Sequence, residues 1–146
     1  MLKQKELCVL EHTWALVVEA DPHNLIAIAN ILGELGVSFK RNTTGKNVVA
    51  QVRAMQPKPD FILLAMELPE GDALAICREI QSDSELSSVP VVALSEQSVT
   101  TLFQQLKAAG FAGYVRKPLP RRQLGEMLRR MLDGDSGFNL LTTPDQ

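Results

Sequence analysis

Short apolar runs alternate with segments of helical period along most of this chain. Trp14-Ala15-Leu16-Val17-Val18 is continuously apolar and stops at Glu19, as a strand buried on both faces does. Asp21-Pro22 then predicts a helix start, with Asp as the cap and Pro at the first helical position. Leu25, Ile28, Leu32 and Leu35 follow at spacings of 3, 4 and 3, an apolar helix stripe, and Gly36 is placed to end it. Val37 to Arg41 reads as a second strand, and Asn42-Thr43-Thr44-Gly45 as a turn and cap. A helix from about Lys46 to Met55 presents Val48, Val49 and Val52, and Pro57-Lys58-Pro59 breaks it. Phe61-Ile62-Leu63-Leu64-Ala65 is a third buried strand, with a loop at Leu68-Pro69-Glu70-Gly71. Asp72 to Ile80 reads as helical, with Leu74 and Ile76 on its buried side. Beyond the polar stretch Gln81 to Ser88, Val89 to Leu94 is a fourth strand. A helix over about 99–109 ends at Gly110, and Tyr114-Val115 lies in a short fifth strand. After Lys117-Pro118 a last helix carries Leu124, Met127, Leu128 and Met131.

Strands separated by helical segments imply βαβ units, right-handed crossovers and a parallel sheet with helices on both faces. The expected class is therefore α/β. In such sheets the functional crevice lies at the carboxyl ends of the strands. The residues that fall there are Glu19-Ala20-Asp21, Ala65-Met66-Glu67, Ser95 and Lys117.

Composition narrows the function classes. The 146 residues suit one domain, expected over 13–133, between an N-terminal extension 1–12 and a disordered tail 134–146. Fifteen basic residues against 17 acidic ones give a net charge of −2, which argues against a nucleic-acid partner. The two cysteines, Cys8 and Cys77, form no metal pair and no disulfide framework. No apolar run approaches the roughly 18–20 residues of a membrane span, and the amino terminus lacks the apolar core of a signal peptide. The expectation is a cytoplasmic protein with no membrane contact.

The strand ends carry a resemblance. Leu16-Val17-Val18-Glu19-Ala20-Asp21-Pro22, Phe61-Ile62-Leu63-Leu64-Ala65-Met66-Glu67-Leu68-Pro69, Val91-Val92-Ala93-Leu94-Ser95 and Gly110-Phe111-Ala112-Gly113-Tyr114-Val115-Arg116-Lys117-Pro118 stand in order along the chain. Together, over about residues 13–132, they resemble the receiver domain of two-component response regulators. The resemblance implies a flavodoxin-like (βα)5 three-layer sandwich with a parallel five-stranded sheet in the order 2-1-3-4-5. It also implies a phosphorylation pocket. A working receiver has a carboxylate nucleophile at the end of strand three and two acidic residues after strand one that help hold Mg²⁺. A hydroxyl after strand four and a lysine after strand five bind the phosphoryl oxygens. Phosphoryl transfer of this kind rests on positioning and electrostatics.

At those positions this chain has Ala65 for the nucleophile, Glu19 and Ala20 for the acidic pair, Ser95 for the hydroxyl and Lys117 for the lysine. A methyl group can neither attack phosphorus nor ligate a hard cation, which wants oxygen. No catalytic residue, metal or cofactor is therefore expected, and no enzymatic activity. Asp21 reads as a helix cap. Glu67 reads as a solvated loop acid, with a return into the vacated pocket as the alternative. Lys117, deprived of its usual partner, needs a counter-charge, and Glu19 or Glu67 is expected to supply it. Tyr114 matches the aromatic switch position, which with Ser95 would belong to the output face. The plainer reading of Tyr114 is a half-buried strand aromatic with its hydroxyl at the rim.

The remaining signals are weaker. Thr44-Gly45-Lys46 hints at a phosphate loop, but Lys40 and Asn47 stand where that motif needs Gly and Ser or Thr. His12 and His23 show no ligand spacing, and Cys77 reads as a small buried hydrophobe. Arg121, Arg122, Arg129 and Arg130, interspersed with Glu126 and Asp133, read as a solvated helix face. The expected function is that of a degenerate bacterial receiver, a signal-transduction module acting by phosphorylation-independent protein contact. Its partner would be a histidine kinase, another receiver or an output protein, and a homodimer could form through helix 4, strand 5 and helix 5. The alternatives are phosphorylation on Asp21 or Glu67 and a small-ligand sensor in the vacated pocket. About 14 residues follow Leu132, so the expectation is a stand-alone module or a piece of a larger protein.

Overall fold

The strand and helix periods resolve into five βα units in a computed structural model, which describes residues 10, 12–119 and 121–133. The strands are β1 (Thr13–Val18), β2 (Val37–Asn42), β3 (Phe61–Ala65), β4 (Val91–Ser95) and β5 (Gly113–Arg116). The helices are α1 (Pro22–Leu35), α2 (Val48–Ala54), α3 (Ala73–Ser82), α4 (Val99–Ala109) and α5 (Arg121–Leu132). All strands are parallel, in the order β2-β1-β3-β4-β5. This is the flavodoxin-like α/β sandwich. Cys8, most of the segment 1–12 and the tail 134–146 lie outside the described residues.

The period of two along each strand divides the core. Leu16, Val18, Ile62, Leu64, Val91, Ala93 and Tyr114 face α2, α3 and α4, meeting Val48, Val52, Ile76, Cys77, Ile80, Leu102 and Leu106. Ala15, Val17, Phe61, Leu63, Val92, Leu94 and Val115 face α1 and α5, meeting Ile28, Ile31, Leu32, Leu124, Met127 and Leu128. Central strands with both faces covered need apolar side chains at every position, so β3 is buried throughout. Leu10 joins the second cluster, and Thr13 donates its N–H to the Leu10 carbonyl (3.1 Å).

Element ends follow local chemistry. Asp21 caps α1 by accepting from the His23 and Asn24 N–H groups, with Pro22 in the first turn. Gly36 ends that helix at φ 83°, where a glycine carries no steric penalty. The second helix begins two residues later than its composition suggests, because Asn47 takes a left-handed conformation (φ 58°) and the helix starts at Val48. In α3 the buried side is set by Ala73, Ile76, Cys77 and Ile80. Leu74, expected in the core, is only half-buried and packs at the margin of the cluster. The stripe runs one position earlier than the large side chains imply, because a small residue, Ala73, meets the sheet at the first turn. The fourth strand begins at Val91, since Val89 hydrogen-bonds back to Leu86. Among the described residues no helix is long and apolar enough to cross a membrane.

Candidate functional site

Parallel strands deliver the residues after their last ladder positions to one end of the sheet. After β1, Glu19 extends the pairing with β2 by donating its N–H to the Asn42 carbonyl (3.0 Å). This holds the Glu19 backbone while its side chain turns inward, where the residue is 1% exposed. After β4, the Ser95 carbonyl accepts the Lys117 N–H (2.8 Å), so the ladder with β5 carries Lys117 to the same end. Ala65 ends β3 between them in the sheet order, and it is fully buried. Its side chain is a methyl group with no donor or acceptor.

Charged groups stand at the same end of the sheet. The Lys117 ammonium lies 2.9 Å from Glu19 Oε1, and both side chains are buried. Glu19, not Glu67, is thus the counter-charge of the lysine. The ammonium is the charge partner of Oε1. The other oxygen, Oε2, accepts the Asp21 N–H (3.0 Å). Asp21 in turn uses its Oδ1 on the His23 N–H (2.8 Å) and the Asn24 N–H (3.4 Å). It serves as the helix cap that its position implies.

Glu67 returns toward the sheet. Its Oε2 accepts a hydrogen bond from the Ser95 hydroxyl (3.0 Å), and Ser95 Oγ accepts the Gln97 N–H (3.1 Å). Ser95 is fully buried and Glu67 stays exposed, so the pair reaches from the sheet to the surface. Ala20 is half-buried and brings no polar side-chain atom. Tyr114 is fully buried in the core beneath α2, α3 and α4. The rim position expected for its hydroxyl is therefore corrected: the ring is turned into the apolar layer, where its area is worth most.

A second layer of contacts, between loops distant in sequence, steadies this end. Asn42 Oδ1 accepts from the Thr44 and Gly45 N–H groups, and its Nδ2 donates to the Lys46 carbonyl and to Gln51 Oε1. Glu70 donates its N–H to the Thr44 carbonyl (2.9 Å), which clamps the loop after β3 onto the loop after β2. Gly45 and Gly71 touch there; a methyl on Gly71 would stand 2.5 Å from the Gly45 oxygen. The turn residues 42–45 are legible locally, but their contact with Gly71 is not. His12 and His23 are exposed, and Cys77 is buried, with desolvation pushing its thiol up to about 12. On α5, Arg129 pairs with Glu126 one turn earlier (2.9 Å), as on a solvated helix face.

The comparisons with known proteins agree with this architecture. The sequence profile of the response regulator receiver domain matches residues 15–129. The chain belongs to that family, and is a receiver domain of two-component signalling. It is 25% identical over 130 residues to the signal transduction histidine-protein kinase BarA of Escherichia coli K12, covering 89% of this chain but only 14% of the kinase. It is 24% identical over 121 residues to the polar-differentiation response regulator DivK of Brucella anthropi, covering 83% of this chain and 96% of that protein. The receiver domain of the sensor histidine kinase PA1611 from Pseudomonas aeruginosa superposes with a TM-score of 0.75 at 27% identity, over 84% of this chain and 98% of that one.

The PA1611 domain has a magnesium ion coordinated in its active site cleft. The residues of this chain do not fit such an ion. Mg²⁺ takes oxygen ligands in octahedral geometry, and Ala20 and Ala65 offer none. Glu19 is held by an ammonium, Asp21 by a helix terminus and Glu67 by a hydroxyl. Among the described residues no group of three or more His, Cys, Asp or Glu side chains is placed to hold a metal.

Proposed function

We propose that this chain is a degenerate receiver that works in two-component signalling as a phosphorylation-independent protein-interaction module. The observation that carries the reading is Ala65 at the end of β3, with the Glu19–Lys117 ion pair at the same end of the sheet. A methyl group cannot accept a phosphoryl group, and the lysine that would bind the phosphoryl oxygens is already neutralised. Such a domain signals by what it binds. Its partner is a histidine kinase, another receiver or an output protein, and the face of α4, β5 and α5 is the surface through which two copies would pair.

The test is intact-mass spectrometry after incubation with acetyl phosphate and Mg²⁺, with an amide NMR titration by Mg²⁺ and then beryllofluoride. The expected result is no phosphoryl increment and no saturable shift at Ala65, Ser95 or Lys117. A phosphoryl increment mapped to Asp21 or Glu67 would overturn the reading in favour of a switch that uses another carboxylate.

A further inference from the structure

We propose that Glu67 is a positioning residue for the interaction face: its carboxylate holds the Ser95 hydroxyl, and through that hydroxyl it fixes the loop that starts α4. The inference rests on the reading above, that the face of α4, β5 and α5 makes the contacts, and adds to it the group that sets one end of that face. Ser95 ends β4 and is fully buried, whereas Glu67 stands exposed in the loop between β3 and α3. The Ser95 hydroxyl donates to Glu67 Oε2 (3.0 Å), and the same Oγ accepts the Gln97 N–H (3.1 Å). The residues on either side of Gln97 are held as well. The Glu96 carbonyl accepts from Arg116 Nε on β5 (3.1 Å), and Ser98 caps α4 by accepting the Thr101 N–H (3.4 Å).

A serine hydroxyl has one hydrogen and two lone pairs. Where the hydrogen goes decides which way the lone pairs face. A hydrogen bond to a carboxylate is about twice as strong as one between neutral groups, so Glu67 sets the direction of the Ser95 hydroxyl. In that direction a lone pair is left for the Gln97 N–H. Without the carboxylate, the buried hydroxyl must turn to another acceptor, and the orientation that serves Gln97 loses its anchor. The relay therefore runs from the loop after β3, through the end of β4, to the first turn of α4. Every group in it belongs to this chain, so the entrance to α4 has one geometry with no added group required. A contact face that works without phosphorylation needs that property.

The test is amide hydrogen exchange and amide chemical shifts of the full chain by NMR, alongside the acetyl phosphate mass assay. The variants are Glu67→Ala, Glu67→Gln, Ser95→Ala, and Glu67→Ala combined with Ser95→Ala. Glu67→Ala is expected to speed exchange of the Gln97 N–H by about tenfold, the weight of one such hydrogen bond. It should also shift the amides of residues 96–105, across the loop and the first half of α4. Glu67→Gln keeps an acceptor oxygen and should retain most of the protection. Ser95→Ala should reproduce the Glu67→Ala pattern, and the double variant should go no further than Ser95→Ala alone, as two links of one relay do. Unchanged Gln97 exchange in Glu67→Ala overturns the inference. So do shifts confined to residues 66–71, or additive effects in the double variant. A phosphoryl increment in the wild type would sink the proposed function instead and leave the Gln97 readout untouched, so the two failures are told apart.

Discussion

Glu19 and Lys117 form the one interaction at this site whose removal is expected to be costly on either side. Both side chains are buried, with 2% and 7% exposure. Losing one partner of such a pair leaves an uncompensated charge, at a cost of about 3–5 kcal/mol. Glu19→Gln and Lys117→Met should each lose about that much in urea denaturation, while the neutral double variant should lose less than the sum, because no charge stays orphaned. Additive losses would show that the pair is not coupled. The need for a partner was legible from Lys117 and the missing carboxylate at Ala65. The choice of Glu19 was not, since it depends on a strand end held by Asn42, a contact between distant segments. Cys77 gives a second prediction at this scale. Burial raises its thiol from 9.0 to about 12. A raised folded value means that the neutral thiol is favoured in the fold, so this contribution is complete below pH about 9. It declines as pH rises from 9 toward 12. A thiol reagent at pH 8 should label Cys77 only after denaturant unfolds the chain; rapid labelling of the folded chain would contradict its burial.

Helices and strands were largely readable one at a time, and their mutual contacts were not. Asp21-Pro22 and Gly36 mark both ends of α1 by local chemistry, and the structure uses them that way. The phase of α3 shows where local reading stops. Leu74 is the largest apolar residue in its first turn, yet Ala73 is the one that is buried, and Leu74 packs at the margin of the cluster. The same limit hides the clamp between Gly45 and Gly71. Adding a Cβ at Gly71 would bring it within 2.5 Å of a backbone oxygen, and backbone cannot yield as a flexible side chain can. Gly71→Ala should therefore destabilise the chain by about 1–3 kcal/mol, as overpacking does. The loop that carries Glu67 should exchange its amide protons faster in that variant. An unchanged denaturation midpoint would show that the two loops part without cost. Replacing Asp72, which caps α3 through the Leu74 and Ala75 N–H groups, should cost about 1 kcal/mol, with Asp72→Asn retaining most of the stability.

For the whole molecule, the receiver frame is built by the core. The sheet order, the two packed faces and the ladders that deliver Glu19, Ser95 and Lys117 to one end depend on residues of the core. None of them depends on the side chains at positions 20 and 65, which are alanine here. The frame should then accept the missing carboxylates. Ala20→Asp combined with Ala65→Asp would add two negative charges beside a pair that is now neutral. Lys117 could no longer balance them all, and a divalent cation would find both the charge and the oxygen ligands it lacks in the wild type. The expected outcome is saturable Mg²⁺ binding by calorimetry, followed by a phosphoryl increment on Asp at position 65 with acetyl phosphate. Ala20→Asp alone, which leaves no nucleophile, should show no increment. Should the double variant fold with an unchanged amide pattern elsewhere and still ignore Mg²⁺, then position 65 does not face the space between Glu19 and Lys117. The pocket would have lost more than two side chains, and its silence would be a property of the backbone.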